Sequence, residues 1–324
     1  MIGEFMTYLK MYVEHLQQKD LSHNTVIMYK KSINYFIRWF EETHANYESY
    51  YTTFDKAVGD ITLDHLIKYR EYLFETKSVT GKPYSLETIR LRVNCVKDFF
   101  SYLYEENVIE SNPAKNFKNV RYVKESQVRW LTHDEKNRLL RYVEDPKLII
   151  KNEWRGYRNL AIINIMLLAG LRASEVSNLK LEDLDNGFIL IRSSKGLKGR
   201  KLPINHDLGK VLNKWLNVRN EKEQFSDSQY VFLSQRGSKF TEMGLTKLFI
   251  TLEKKTGIEG LSPHTLRHTF CHDLVEKGTP IHIIADYAGH SSVKTTMIYV
   301  TSSNMEKKTA VEKLSVGRYD DFSE

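Results

Sequence analysis

Residues 111–130, SNPAKNFKNVRYVKESQVRW, break an otherwise periodic chain, and this break limits the fold more than any other feature. The stretch shows no sustained helical or alternating pattern. It opens on Asn112-Pro113, which stops a helix, and sets Lys115, Lys118, Arg121, Lys124 and Arg129 against one acid, Glu125. It reads as a basic linker, so the expected organisation is a domain over 1–112, a linker over 113–129, a second domain over 130–303 and a tail over 304–324. With 324 residues, 41% of them apolar, each domain can bury a core of its own.

The two sides of the break differ in texture. Before it, Val26, Tyr29, Ile33, Phe36, Ile37 and Phe40 form a helical face with Ser22 or Asn24 as cap. Thr62 caps a second stretch through Leu66, Tyr69 and Leu73, and Ser85 a third through Ile89, Val93, Val96, Phe100 and Leu103. This predicts a small all-helical bundle. After it, LAIINIMLLAG is an apolar helix ended by Gly170, and LRASEVSNLKLEDLD begins an amphipathic one. FILIRSSKGLKGRKLPI predicts a strand pair around a basic, Gly-containing tip at 193–199. Further helices are expected through TEMGLTKLFITLEKKTG, SPHTLRHTFCHDL, IHIIADYAGH and SSVKTTMIYV. The fold class is therefore mainly α with a small antiparallel sheet in the second domain.

SPHTLRHTFCHDL, residues 262–274, carries the densest chemistry. On a helix His264, His268 and His272 share one stripe, with Arg267 one turn from His264. A zinc enzyme using His-x3-His needs a third ligand and usually has a glutamate after the first histidine as general base, and Thr265 stands there instead. Asp273 and Cys271 are expected to face away from the stripe, and His268 and His272 to pack at a core margin. Elsewhere, Arg172 follows a glycine at a helix head with Glu175 one turn on, Lys195 lies on the hairpin tip, His290 follows Gly289, and Tyr299 ends TTMIYV. Each has an ordinary explanation: a one-turn ion pair, a solvated turn residue, a cap, a core aromatic.

In order and spacing, however, Arg172, Lys195, His264-x-x-Arg267, His290 and Tyr299 resemble the active-site set of the tyrosine site-specific recombinases, the family of the Xer proteins, Cre and the lambda-type integrases. The likeness spans nearly the whole chain. GYRNLAIINIMLLAGLRASEVSNL and AGHSSVKTTMIYV resemble catalytic-domain blocks; LSHNTVIMYKKSINYF and LETIRLRVNCVKDFFSYLYEENVIESNPA resemble the helical SAM-like core-binding domain. Two departures avoid the catalytic positions: Tyr and Ala within DYAGH, and a longer stretch from Glu144 to Trp154.

The resemblance implies a two-domain DNA clamp that cleaves and rejoins strands through a 3′-phosphotyrosyl link to Tyr299, with no metal, cofactor or ATP. It assigns phosphate binding to Arg172, Arg267 and His290, proton acceptance to His264 and the general acid to Lys195, with Glu175 supporting Arg172 and His264. Expected DNA contacts are Lys30, Lys31, Arg90, Arg92, Arg121, Lys124, Lys198 and Arg200. Implied partners are double-stranded core sites, a dimer per site and a tetramer in the synapse, with an accessory DNA-bending or directionality factor admitted and the 304–324 tail docking in trans. The competing functions are a metal-dependent hydrolase on the His264/His268 stripe and a DNA-binding protein of this fold without catalysis.

Charge and compartment agree with that reading. Lys and Arg exceed Asp and Glu by 48 to 41, a net +7, which favours a polyanionic partner without specifying one. Cys95 and Cys271 lie far apart, the N-terminus lacks the shape of a signal peptide, and no apolar run approaches a membrane span; a cytoplasmic, bacterial or mobile-element setting is expected, with MIGEF a candidate vector-derived extension and no arm-binding module before Met6.

Overall fold

Apolar periodicity in the first third does become helices. The computed structural model describes residues 2–19, 21–44, 58–78, 81–121, 128–192, 199–225, 227–290 and 292–299, and its contacts divide the chain into Met1–Glu125 and Ser126–Glu324. In the first unit α1 (Ile2–Gln18), α2 (His23–His44), α3 (Leu63–Glu75) and α4 (Leu86–Glu105) enclose one core. Ser22 and Ser85 cap as expected: each hydroxyl accepts from a backbone N–H three residues on, Thr25 at 3.1 Å and Thr88 at 3.2 Å. Helix α1 was not expected, although Leu9, Tyr12 and Leu16 give it a buried face at helical spacing. Aromatic rings fill the centre. Phe36 meets Tyr69 edge to face at 4.9 Å and Phe100 at 5.8 Å.

The first unit continues past position 112. Ala114 and Phe117 are buried in its core, Lys97 donates to the Phe117 carbonyl at 2.7 Å, and Arg70 donates to that of Lys118 at 3.0 Å. Two apolar side chains suffice to anchor a segment too short to show a period. Residues 122–127, with Lys124, lie outside the described residues.

The second unit is built on α7 (Glu153–Ala169), preceded by α5 (His133–Val143) and α6 (Pro146–Lys151), which takes up much of the long Glu144–Trp154 stretch. From Leu160 to Leu167 helix α7 is buried all round, as its continuous apolar run requires, while Glu153 and Arg155 in its first turn are exposed. It ends at Gly170 in the left-handed region, φ 65°, where a Cβ would stand 2.3 Å from the Phe270 ring. Glycine thus lets a later helix approach closely. The next helix, α8 (Ala173–Asn178), is shorter than the sequence suggested. Leu179 and Leu181 exchange backbone bonds with Val231 and Gln229, which draws the chain out of the helix and into β1 (Leu184–Asp185). The hairpin follows as β2 (Phe188–Ile191) and β3 (Arg200–Pro203), giving an antiparallel sheet β1-β2-β3 with Ile191 opposite Arg200. Ile189, Ile191 and Leu202 point inward. Its tip, 193–198, with Lys195 and Lys198, lies outside the described residues.

Helices α9 (His206–Asn220), α10 (Glu242–Thr256), α11 (Pro263–Glu276) and α12 (Ile281–Ala288) complete the unit, α9 and α11 packing on α7. SSVKTTMIYV does not make the expected helix. It forms two 3-10 turns, Val293–Thr295 and Met297–Tyr299, with Thr296 buried between them. Residues 300–324 lie outside the described residues.

Candidate active site

The site is built where α7, α11 and α12 bring chain ends together. Arg172 is the N-cap of α8 and Glu175 its third residue, so the Glu175 carboxylate accepts the Arg172 backbone N–H at 2.8 Å. The Arg172 guanidinium donates to Glu175 Oε1 at 2.9 Å and to the Gly289 carbonyl at 2.6 Å, remaining 36% exposed. The expected one-turn ion pair is therefore present, and it is tied to the end of α12.

Glu175 has a second guanidinium. Arg200 donates in a fork to both its oxygens, each at 2.8 Å, so each carboxylate oxygen accepts two bonds. Burial alone would raise this carboxyl, but the Arg200 bonds and charge, with Arg172 behind them, hold it down to about 2. Arg200, expected on DNA, is half-buried and bonded to Glu175, and that carboxylate serves two arginines where Arg172 and His264 were expected. Sequence spacing gives no sign of this, because Arg200 arrives from another element.

Helix α11 starts as the Ser262-Pro263 signal predicts, the Ser262 hydroxyl accepting from Thr265 N–H at 3.1 Å. Its stripe is divided by environment. His264 is exposed at the helix head, whereas Arg267 is only 4% exposed. Arg267 donates to the Gly170 carbonyl at 2.6 Å and to that of Ala288. Burial, then the neighbouring Arg172 charge, lowers its pKa to about 10, so it stays cationic at neutral pH. His268, one turn past His264 and stacked on it at 5.9 Å, meets the Tyr299 hydroxyl through Nδ1. Expectation placed the phenol with His264; tertiary packing sets it on His268.

Tyr299 is 1% exposed, packed with Phe270, Cys271, Ile284 and Ala288. Burial and then Cys271 raise its pKa, so the phenol is protonated. His268 is lowered to about 4 by burial, His264 and Arg267; His290 is lowered to about 4 by burial, Arg267 and Arg172. Both imidazoles are thus neutral at pH 7, and the same surroundings weaken them as proton acceptors; the negative charge of a bound phosphate would counter the two arginines and restore basicity. His290 follows Gly289, the left-handed cap of α12, and bonds the Thr296 hydroxyl through Nδ1 at 2.8 Å. Arg172, Glu175, Arg267, His290 and Tyr299 therefore gather around the carbonyls of Gly170, Ala288 and Gly289. His264 borders this group through His268.

His272 leaves the stripe's chemistry. It stacks on Trp130 at 4.3 Å, packing as the sequence suggested. Asp273 does not face away from it, since His272, Asp273 and Glu276 bring ligand-type atoms within 4.8 Å of one another. Lys136 pairs with the Asp273 carboxylate, and Thr265, where a metal hydrolase needs its base, is buried and donates to the Gly260 carbonyl at 2.7 Å. Of the expected DNA contacts, Lys30, Lys31, Arg90 and Arg121 are exposed, while the Arg92 guanidinium lies over Tyr35 at 3.8 Å and Tyr84 at 4.3 Å. Among the described residues no helix is long and apolar enough to cross a membrane.

Comparison with known proteins agrees with both units. Residues 129–306 match the phage integrase family, and residues 4–119 match the phage integrase SAM-like domain. The tyrosine recombinase XerC of Thermodesulfovibrio yellowstonii is 30% identical over 305 residues, covering 92% of this chain and 90% of that protein. The TnP I resolvase of Bacillus thuringiensis is 26% identical over 317 residues, 95% of this chain and 100% of that one. Among solved structures, the Tn1549 transposon integrase in complex with transposon right end DNA superposes with a TM-score of 0.68 at 21% identity, over 95% of this chain and 99% of that one. A lambda integrase dimer bound to a core site gives 0.66 at 17% identity, over 92% and 96%. These two likenesses concern the fold.

Proposed function

This chain belongs to the phage integrase family and is a site-specific tyrosine recombinase, an enzyme that cleaves and rejoins DNA strands; from that premise we propose that Tyr299 is its nucleophile and that Arg172, Arg267 and His290 bind the scissile phosphate. The observation that carries the assignment is the convergence of two guanidiniums, a neutral imidazole and a phenol from three separate segments. Attack forms a Tyr299 Oη–phosphorus bond and breaks the bond to the 5′-oxygen. The phenol proton passes to an imidazole of the His264–His268 stack, with His268 in contact, and Lys195 protonates the leaving oxygen. The two arginines neutralise charge on the non-bridging oxygens, the part metal ions take in other phosphoryl-transfer sites. Because the covalent link retains the phosphodiester's energy, a second 5′-hydroxyl reverses the step without ATP. Burial of Arg267 and Tyr299 describes a closed site, and DNA binding draws both toward the phosphate.

Cleavage is expected to persist in excess EDTA. A suicide substrate incubated with chelator should trap covalent protein at the untreated rate, whereas loss on chelation and return with zinc would move the reading to the histidine-stripe hydrolase.

The proposed substrate is a pair of duplex core sites, filled by a dimer each and synapsed as a tetramer in the cytoplasm, with an accessory DNA-bending or directionality factor admitted; Lys30, Lys31, Arg90 and Arg121 supply backbone contacts. In the sequence Val311 and Leu314 stand three apart with Met305 before them, and on that spacing the 304–324 tail is proposed to dock on a neighbouring protomer. Deleting residues after Asn304 should spare binding to one half-site and remove cooperative filling of the second, read by gel-shift titration. Unchanged cooperativity would rule out the tail.

A further inference from the structure

Arg200 was expected to touch DNA, yet its side chain is 10% exposed and, among the described residues, its guanidinium bonds to Glu175 and to the Tyr287 carbonyl. It stands at the foot of the hairpin whose 193–198 tip carries Lys195, paired across the ladder with Ile191. From there its guanidinium reaches two other segments. Two N–H groups form the fork on Glu175 at 2.8 Å each, and Nε donates to the Tyr287 carbonyl at 2.8 Å, in the last turn of α12. That turn leads through Gly289 to His290. Gly289, whose φ of +57° favours glycine, lies close beneath both guanidiniums: a Cβ there would stand 2.8 Å from Arg200 Nη1 and 3.3 Å from Arg172 Nη1 and would displace them. The planar fork of an arginine serves this geometry, whereas a lysine ammonium could meet only part of it.

We infer that Arg200 is a positioning residue of the cleavage reaction: it fixes Glu175 and thereby Arg172, fixes the α12 end and thereby His290, and links both to the foot of the Lys195 hairpin. The inference rests on the proposed role of Arg172 as a phosphate-binding group. Without Arg200, Arg172 is the remaining cation bonded to the half-buried Glu175 among the described residues, and the carboxylate would pull that guanidinium away from the phosphate. Arg172 would then be present but misdirected. Contact with substrate is not needed for this effect, since it is transmitted through the shared carboxylate.

The test compares Arg200→Gln and Arg200→Lys with the parent and with Arg172→Ala in the full chain. Single-turnover cleavage by Arg200→Gln should fall about 10–100-fold, the range for losing a group that orients a reacting one, with half-site binding retained. Arg200→Lys keeps the charge beside Glu175 but not the fork; it should fall between, and it carries the test if Arg200→Gln does not fold. The deciding readout is a methylphosphonate at the scissile position, where a methyl group replaces one charged oxygen. If Arg200 acts by aiming Arg172 at that charge, the defects of Arg172→Ala and of the Arg200 variants should shrink together on the neutral substrate. Should Arg172→Ala recover while the Arg200 variants keep their full deficit, Arg200 is a structural residue only and the inference is overturned. Should Arg172→Ala not recover either, the phosphate role of Arg172 fails and the inference falls with it. Equal cleavage by parent and Arg200→Gln on ordinary DNA would also overturn it.

Discussion

Tyr299→Phe is expected to abolish covalent attachment to DNA while leaving binding intact. The change removes one oxygen, the atom proposed to attack phosphorus, and no other group takes its place. Its structural cost is small. The ring remains packed with Phe270, Cys271, Ile284 and Ala288, and the lost partner is the hydroxyl's bond with His268, worth about 0.5–1.5 kcal/mol for an ordinary hydrogen bond. Binding should therefore survive in a gel-shift assay, and a suicide substrate should trap none of the variant. Trapping at the parental rate would exclude Tyr299. Peptide mapping of the parent's adduct would then locate the nucleophile, with Tyr287, one turn of chain before His290, the first alternative.

Lys195→Ala should be the second large effect, with a signature of its own. The 5′-oxygen departs as a poor leaving group unless it gains a proton, and losing a positioned general acid costs roughly 10²–10⁴ in rate. A 5′-thiolate leaves without protonation. Cleavage of ordinary DNA by Lys195→Ala should thus nearly vanish, while cleavage of a substrate bearing a bridging 5′-sulfur should approach the parental rate. A deficit of the same size on both substrates would separate Lys195 from the acid step and direct attention to Lys198, the other lysine of the tip. Arg200 offers an internal contrast: as a group proposed to act through Arg172, its loss should respond to phosphate charge and not to the leaving atom.

Much of the fold was legible because its determinants are local. Ser22, Thr62 and Ser85 mark helix starts, Gly170 and Gly289 mark ends, and the buried positions of α4 follow the period of the sequence. Where expectation failed, a distant segment had intervened. SNLKLEDLD left its helix because Leu179 and Leu181 pair with residues near 230, and the segment after Pro113 joined the first core through Phe117. The TTMIYV turn is compact because Thr296 and Tyr299 are buried against the helices before them.

The site divides along the same line. By itself the sequence determined which chemical groups are present and in what order, and it determined the Arg172–Glu175 pair, because a separation of three residues on a helix brings side chains together whatever surrounds them. Only the tertiary structure decided whom the other groups meet. Arg200 reaches Glu175 across 25 positions, Tyr299 meets His268 across 31, and Arg172 meets Gly289 across 117. A long guanidinium or a phenol can satisfy its hydrogen bonds with many partners, and periodicity does not rank them; packing does, by burying one arrangement and leaving its polar atoms a single set of partners.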